Sequence, residues 1–264
     1  MNGPDARVAL PGPGRARLWQ QRVTPGSARS CTSLLSREER LRAAAMTDAA
    51  RARFTVARGV LRGVLGSGLG LRPDRVPLRV TCTRCGASDH GPVRLELPGV
   101  GLALSLAHSD ELAAVTVAHG ERGVGVDVEA GTSIGDLGTL ARRVFAPADR
   151  DRWQTLPAAR ARPTVLAAWA CGEAYAKATG LGLGTALAGV GARLDGVGRL
   201  VVAGPRELDG WSVRTVPARL SGYAAAVATR HEVRLSGGDF EHTGTECANG
   251  GAAALSGQAT AHGG

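Results

Sequence analysis

Runs of alternating apolar and polar residues mark the middle of the chain. VPLRV (76–80), VRLEL (93–97), LALSLA (102–107), LAAVTVA (112–118) and VGVDVE (124–129) each fit a half-buried β-strand. The pattern upstream has a helical period instead. Ser36-Arg37-Glu38-Glu39 is a capping-box signature, and Thr47 or Asp48 can cap a second helix that runs through RARFTVARGVLRGVLG to the glycines at 66, 68 and 70. Arg51, Arg53, Arg58 and Arg62 fall near one another at helical spacing in that segment.

The second half repeats the order. APADRDRWQTL predicts a helix after Pro147, and a longer helix is expected from about Pro163 to a stop at Gly180. Strands are expected in VGARL, RLVVAG, WSVRTV and GYAAAVAT. Helices followed by antiparallel strands, twice over, predict an α+β fold of two similar halves, 7–122 and 123–235, with a site between them. The glycine- and alanine-rich stretch 236–264 has no periodicity and reads as a disordered tail.

Composition narrows the function classes. No apolar run reaches the roughly 18 to 20 residues that span a bilayer, and the opening residues lack a signal-peptide core, which places the protein in the cytoplasm without a membrane partner. Five scattered cysteines do not make a secreted disulfide framework. A net charge of +9 suits a polyanionic ligand or an acidic protein. Nucleic acid is disfavoured as the partner because aromatic stacking residues make up only 3% of the chain. Of the 32 basic residues only Lys177 is a lysine, so that position favours a compact ammonium over a planar guanidinium.

Asp127 and Glu129 stand two residues apart in GVGVDVE, so a strand projects both from one face. Alone, the pair fits a solvated strand end as well as a cation site. Glu173 sits in an apolar helix with Lys177 at i+4, which is either a surface ion pair or a third carboxylate for a hard cation with a lysine beside it.

GVDVE followed by WACGEAYAKATGLGLG resembles the paired signature of the 4'-phosphopantetheinyl transferases, in particular the pseudodimeric surfactin-synthetase-activating type. SLAHSDELAAVTVA resembles the S-H-S segment of that family, and RARFTVARGVLRGVLG its arginine-bearing helix, so the likeness covers about 36–228. The resemblance implies a monomeric pseudo-dimer that moves the phosphopantetheine arm of coenzyme A to a serine of an apo acyl or peptidyl carrier protein. It implies Mg²⁺ held by Asp127, Glu129 and Glu173, with Glu173 and Lys177 catalytic. Arg53, Ser105, His108, Ser109 and Lys177 would line the coenzyme A site. Asp149 matches a further acidic position of the family and equally fits a first-turn helix acid.

Two departures stand out. Gly172 replaces the usual lysine before the glutamate, which removes a cation expected near the phosphates and leaves a non-catalytic coenzyme A or carrier-protein binder as the alternative. The serine before the histidine is Ala107. Cys171 and Trp169 read as core residues. Cys82, Cys85 and His90 offer three zinc ligands, with Asp89 or a distant residue as fourth. The incomplete set reads mainly as reduced thiols in a turn.

Overall fold

The computed structural model describes residues 8–82, 85–88, 90–120, 123–132, 135–204, 206–230 and 233–239. In chain order the elements of the first half are β1 (Arg15–Arg22), α1 (Pro25–Thr32), α2 (Arg37–Ala44), α3 (Asp48–Leu69), β2 (Leu78–Val80), β3 (Val93–Leu95), β4 (Leu102–Ser109) and β5 (Leu112–His119). The second half holds β6 (Gly125–Ala130), α4 (Leu137–Val144), α5 (Pro147–Gln154), α6 (Ala158–Thr179), α7 (Leu183–Val190), β7 (Arg193–Leu194), β8 (Leu200–Val201), β9 (Trp211–Val216), β10 (Tyr223–Arg230) and β11 (Arg234–Asp239). The fold is α+β, and each half lays a 22-residue helix, α3 or α6, against a largely antiparallel sheet.

The capping box forms as expected. Ser36 Oγ accepts the Glu39 backbone N–H, and Glu39 accepts that of Ser36. Glu39 also neutralises Arg58 and Arg62 of α3, all three side chains being buried. Arg62 donates further to the carbonyls of Pro73 and Val76, at 2.8 and 3.0 Å. The arginines predicted to cluster on α3 are thus largely committed, since Arg51 pairs with Asp48. The left-handed Gly70 ends the helix.

The two sheets meet face to face. Val126 and Val128 of β6 and Ala225 and Val227 of β10 form one buried cluster with Leu18, Ala107, Leu112 and Ala114 of the first sheet. Side chains also tie the neighbouring edges of β4 and β6. Ser105 Oγ accepts the Val126 N–H and Ser109 Oγ that of Ala130, each at 3.1 Å, so β6 keeps no open hydrogen-bonding edge there.

Several expectations need correction. α6 begins at Ala158, before Pro163, because Pro163 removes only the bond to the exposed Ala159 carbonyl near the helix start. β1, α1, α4 and α7 were not anticipated. Residues 236–239, expected to be tail, lie in β11, which pairs parallel with β1 and so closes the first-half sheet with a strand from beyond the second half. A free β1 edge supplies the order that the glycine-rich sequence lacks. The rest of the expected tail, 240–264, lies outside the described residues. No helix among the described residues is long and apolar enough to cross a membrane.

The approach of β6 to α6 sets the tightest packing. A Cβ on Gly125 would fall on the Ala174 carbonyl oxygen and one on Gly123 on that of Ala178, both well inside 3.0 Å, and these obstacles are backbone. Gly125→Ala is therefore expected to lower unfolding free energy by about 3 kcal/mol in urea titration. Gly135→Ala, at an open position, should stay within about 0.5 kcal/mol. Equal effects would contradict the packing constraint.

Candidate active site

Gly125, Asp127 and Glu129 occupy alternate positions on one face of β6, the face covered by α6, and Gly123 precedes the strand beside the same helix. The two elements run in opposite directions. Gly123 lies under Ala178, Gly125 under Ala174, Asp127 meets Lys177, and Glu129 meets Trp169. Across the sheet Asp127 and Glu129 face Ala226 and Ala224 of β10, whose small side chains leave room for the carboxylates.

Lys177 Nζ donates to Asp127 Oδ1 at 2.7 Å and to the Val126 carbonyl at 3.2 Å. It makes this ion pair across to β6 and not back along the helix to Glu173. An ammonium has three protons, so one remains for a ligand, and the side chain is one-third exposed toward a cleft. Asp127 is 4% exposed, and its Oδ2 has no hydrogen-bond donor. Glu129 Oε1 accepts from the Trp169 indole at 3.0 Å, and Oε2 from the Ser109 hydroxyl at 3.3 Å.

Negative charge is disfavoured throughout this group. Loss of water pushes the Asp127 carboxyl up, against the pull of Lys177. Glu129 is pushed up to about 7, first by loss of water and then by Asp127, while the bonds from Trp169 and Ser109 pull down. Glu173 is also raised by desolvation and by Asp127, with Lys177 opposing. Asp127 raises both Glu129 and Glu173, and its buried second oxygen lacks a donor, a combination that suits a hard divalent cation.

The cleft beside them has a volume of about 2200 Å³. Its walls are α2 and α3, the β2–β3 hairpin, β4 and the C-terminal end of α6. Seven Lys and Arg side chains line it against four carboxylates, so it favours anions. His108 lies on this wall, and its imidazolium is disfavoured by loss of water and by Arg53 and Lys177.

The structure thus joins Asp127 to Lys177 and Glu129 to Ser109 and Trp169, while Glu173 lies within electrostatic range of Asp127 and Lys177 without converging with the other two carboxylates into a three-ligand cluster among the described residues. Ser105 reaches the cleft, but its 6%-exposed hydroxyl already serves β6. Arg53 is half-buried within electrostatic range of His108 and is not a cleft-lining residue. Asp149 accepts the Leu194 N–H at 2.9 Å, which pins β7 to α5 and accounts for the carboxylate. At Gly172 a Cβ would displace the Leu187 side chain of α7. The position faces α7, packed on α6. Cys171 is a core residue as expected, its thiol pushed up to about 12 by burial. Trp169, read as core, is also a carboxylate donor. Its place four residues before Glu173, on the same helical face, was the available signal.

Residues 123–228 match the family model of the 4'-phosphopantetheinyl transferase superfamily. This segment is similar to that superfamily. The matched segment contains Asp127, Glu129, Trp169, Glu173 and Lys177, whereas Arg53, Ser105, His108 and Ser109 precede it. The chain is also 36% identical over 133 residues to the 4'-phosphopantetheinyl transferase HetI of Nostoc sp. (strain PCC 7120 / SAG 25.82 / UTEX 2576). That match covers 50% of this chain and 54% of HetI, so the chain spans about half the length of the curated relative it matches.

The raised Glu129 carboxyl has a defined pH signature. Its protonated form favours the fold at low pH, and that contribution is lost as pH rises through about 7. A divalent cation replaces the lost proton, so added Mg²⁺ should raise the melting temperature more at pH ~8 than at pH ~5.5. Asp127→Asn should abolish the difference. Equal Mg²⁺ shifts at both pH values would show that these carboxylates do not bind the ion.

Proposed function

We propose that the protein transfers the 4'-phosphopantetheine arm of coenzyme A to a serine of an apo acyl or peptidyl carrier protein, releasing 3',5'-adenosine diphosphate. The observation that carries this reading is the placement of Lys177, bound to Asp127 on one side and open to a cation-lined cleft on the other. The match of residues 123–228 to the superfamily's family model supports the reaction class.

Asp127, Glu129 and Glu173 would hold Mg²⁺, a reading supported by the unpartnered Asp127 Oδ2 and by the upward push of Asp127 on both glutamates. When bound, the ion would supply charge neutralisation for the diphosphate of coenzyme A. The serine oxygen of the carrier attacks the phosphorus attached to pantetheine, and the bond to the bridging diphosphate oxygen breaks. Lys177 gives its remaining proton donor to the phosphate oxygens. Glu173, raised toward neutrality, accepts the serine proton. His108 meets the third phosphate of coenzyme A, whose negative charge opposes the influences that hold the imidazole neutral, while Arg53, off the cleft wall, acts on the same group through its charge. The arginine-rich surface complements an acidic carrier helix.

The likeness to the surfactin-synthetase-activating type extends the proposal to a monomer with two duplicated halves, acting in the cytoplasm on carrier proteins of secondary metabolism. The non-catalytic alternative rested on Gly172. A non-catalytic binder would bind coenzyme A or the carrier without the mass gain expected below.

The test is the intact mass of an apo carrier protein after incubation with the protein, coenzyme A and Mg²⁺, with a chelator control. A metal-dependent gain equal to the phosphopantetheine arm is expected, and no gain with several acyl and peptidyl carriers would reject the reaction. Lys177→Arg preserves charge but not the compact ammonium, and should lower kcat/KM by about tenfold to a hundredfold. Undiminished turnover would reject the role given to Lys177.

A further inference from the structure

The β2–β3 hairpin carries a cluster that the transfer chemistry does not use. Its strands pair over three residues only, Leu78↔Leu95, Arg79↔Arg94 and Val80↔Val93, and a two-stranded hairpin of that length is marginal by itself. Its long connection nevertheless folds back on itself. Cys82 N–H donates to the Ala87 carbonyl at 2.8 Å, and Gly86 N–H to the Cys82 carbonyl at 2.9 Å. Gly86 and Gly91 have φ of 73° and 108°, conformations that glycine adopts without strain. A Cβ on Gly91 would lie 2.7 Å from the Cys82 backbone, so only glycine lets the returning chain bring His90 over Cys82.

The result is a convergence of ligand atoms. The sulfurs of Cys82 and Cys85 and a ring nitrogen of His90 all lie within 4.8 Å of one another. Cys85 Sγ is 3.3 Å from His90 Nε2. A tetrahedral zinc ion with Zn–S of ~2.3 Å and Zn–N of ~2.0 Å sets sulfur and nitrogen about 3.5 Å apart. We propose that Cys82, Cys85 and His90 bind one zinc ion that fastens the β2–β3 connection. Two thiolates and an imidazole select a borderline-soft tetrahedral metal, in contrast to the all-oxygen donor set of Asp127, Glu129 and Glu173.

Binding releases one proton from each thiol to solvent and transfers no electrons; two thiolates then balance the charge of the ion. Cys85 and His90 are exposed, and water completes the coordination from the open side. Asp89, considered as a fourth ligand, lies outside the described residues. His90 and Gly91 belong to the wall of the anion-favouring cleft, so the ion stiffens that wall from behind.

The test uses the full chain, reduced, stripped with chelator and titrated with cobalt(II) and then zinc alone. Cobalt should give a near-ultraviolet thiolate-to-cobalt band and the strong visible absorption of a tetrahedral ion. Two protons should be released as cobalt binds, and zinc should then abolish both bands at one equivalent without further proton release. Cys82→Ser and Cys85→Ser should remove the thiolate band with far-ultraviolet circular dichroism unchanged, and His90→Ala should weaken zinc binding by about tenfold to a hundredfold. Absence of a thiolate band in the reduced wild-type chain, its persistence in both serine variants, or weak octahedral cobalt spectra alone would overturn the zinc site. A Cys82–Cys85 disulfide that resists reduction in the folded chain would overturn it too.

Discussion

The contact between the start of β6 and the last turns of α6 is the constraint on which the site depends. Two glycines let a strand backbone lie directly on helix carbonyls, closer than any side chain permits. Because strand positions alternate, that contact fixes the next two side chains on the same face. Asp127 arrives at Lys177 and Glu129 at Trp169 with no freedom to drift. The opposite face, Val126 and Val128, is locked into the core shared by the two sheets. The strand is therefore held from both sides, and the carboxylates gain their positions from apolar packing.

Such packing is costly to the charges it positions. Asp127 is almost fully buried with one oxygen unpartnered, and Glu129 is driven toward neutrality. The fold relieves part of this with three donors, Lys177, Trp169 and Ser109. It leaves the remainder for a cation. The other buried ionic cluster, Glu39 with Arg58 and Arg62, is satisfied by its own members and by the carbonyls of Pro73 and Val76. One network joins α2 to α3; the other stays unfinished beside a cleft, as expected of a site that completes itself with ligand.

Much of this was legible in the sequence where a local pattern carried it. The strand-like runs became strands, β5 and β6 with both faces covered, and the capping box at Ser36 formed as spelled. GVGVDVE was read for its acids, while the reason for its glycines lay 50 residues away in α6 and had no local sign. The spacing of Arg58 and Arg62 showed that they are neighbours but not that Glu39 would claim them. β1 was missed because RARLWQQR buries Ala16, Leu18 and Trp19 among charged residues without clean alternation. β11 was missed because its order is borrowed from β1. Gly172 could be interpreted only once α7 was seen against it.

A single lysine in the chain makes the central claim measurable without mutation. Selective ¹³Cε labelling of lysine yields one side-chain resonance, that of Lys177. A lysine bonded to Asp127 and waiting on a phosphate should show a broadened or displaced signal in the free protein, unlike that of a mobile surface lysine. Coenzyme A with Mg²⁺ should then shift it at saturation, and Asp127→Asn should return the free signal toward the mobile position. A sharp, random-coil resonance indifferent to coenzyme A and Mg²⁺ would contradict the placement of Lys177 between the carboxylates and the cleft.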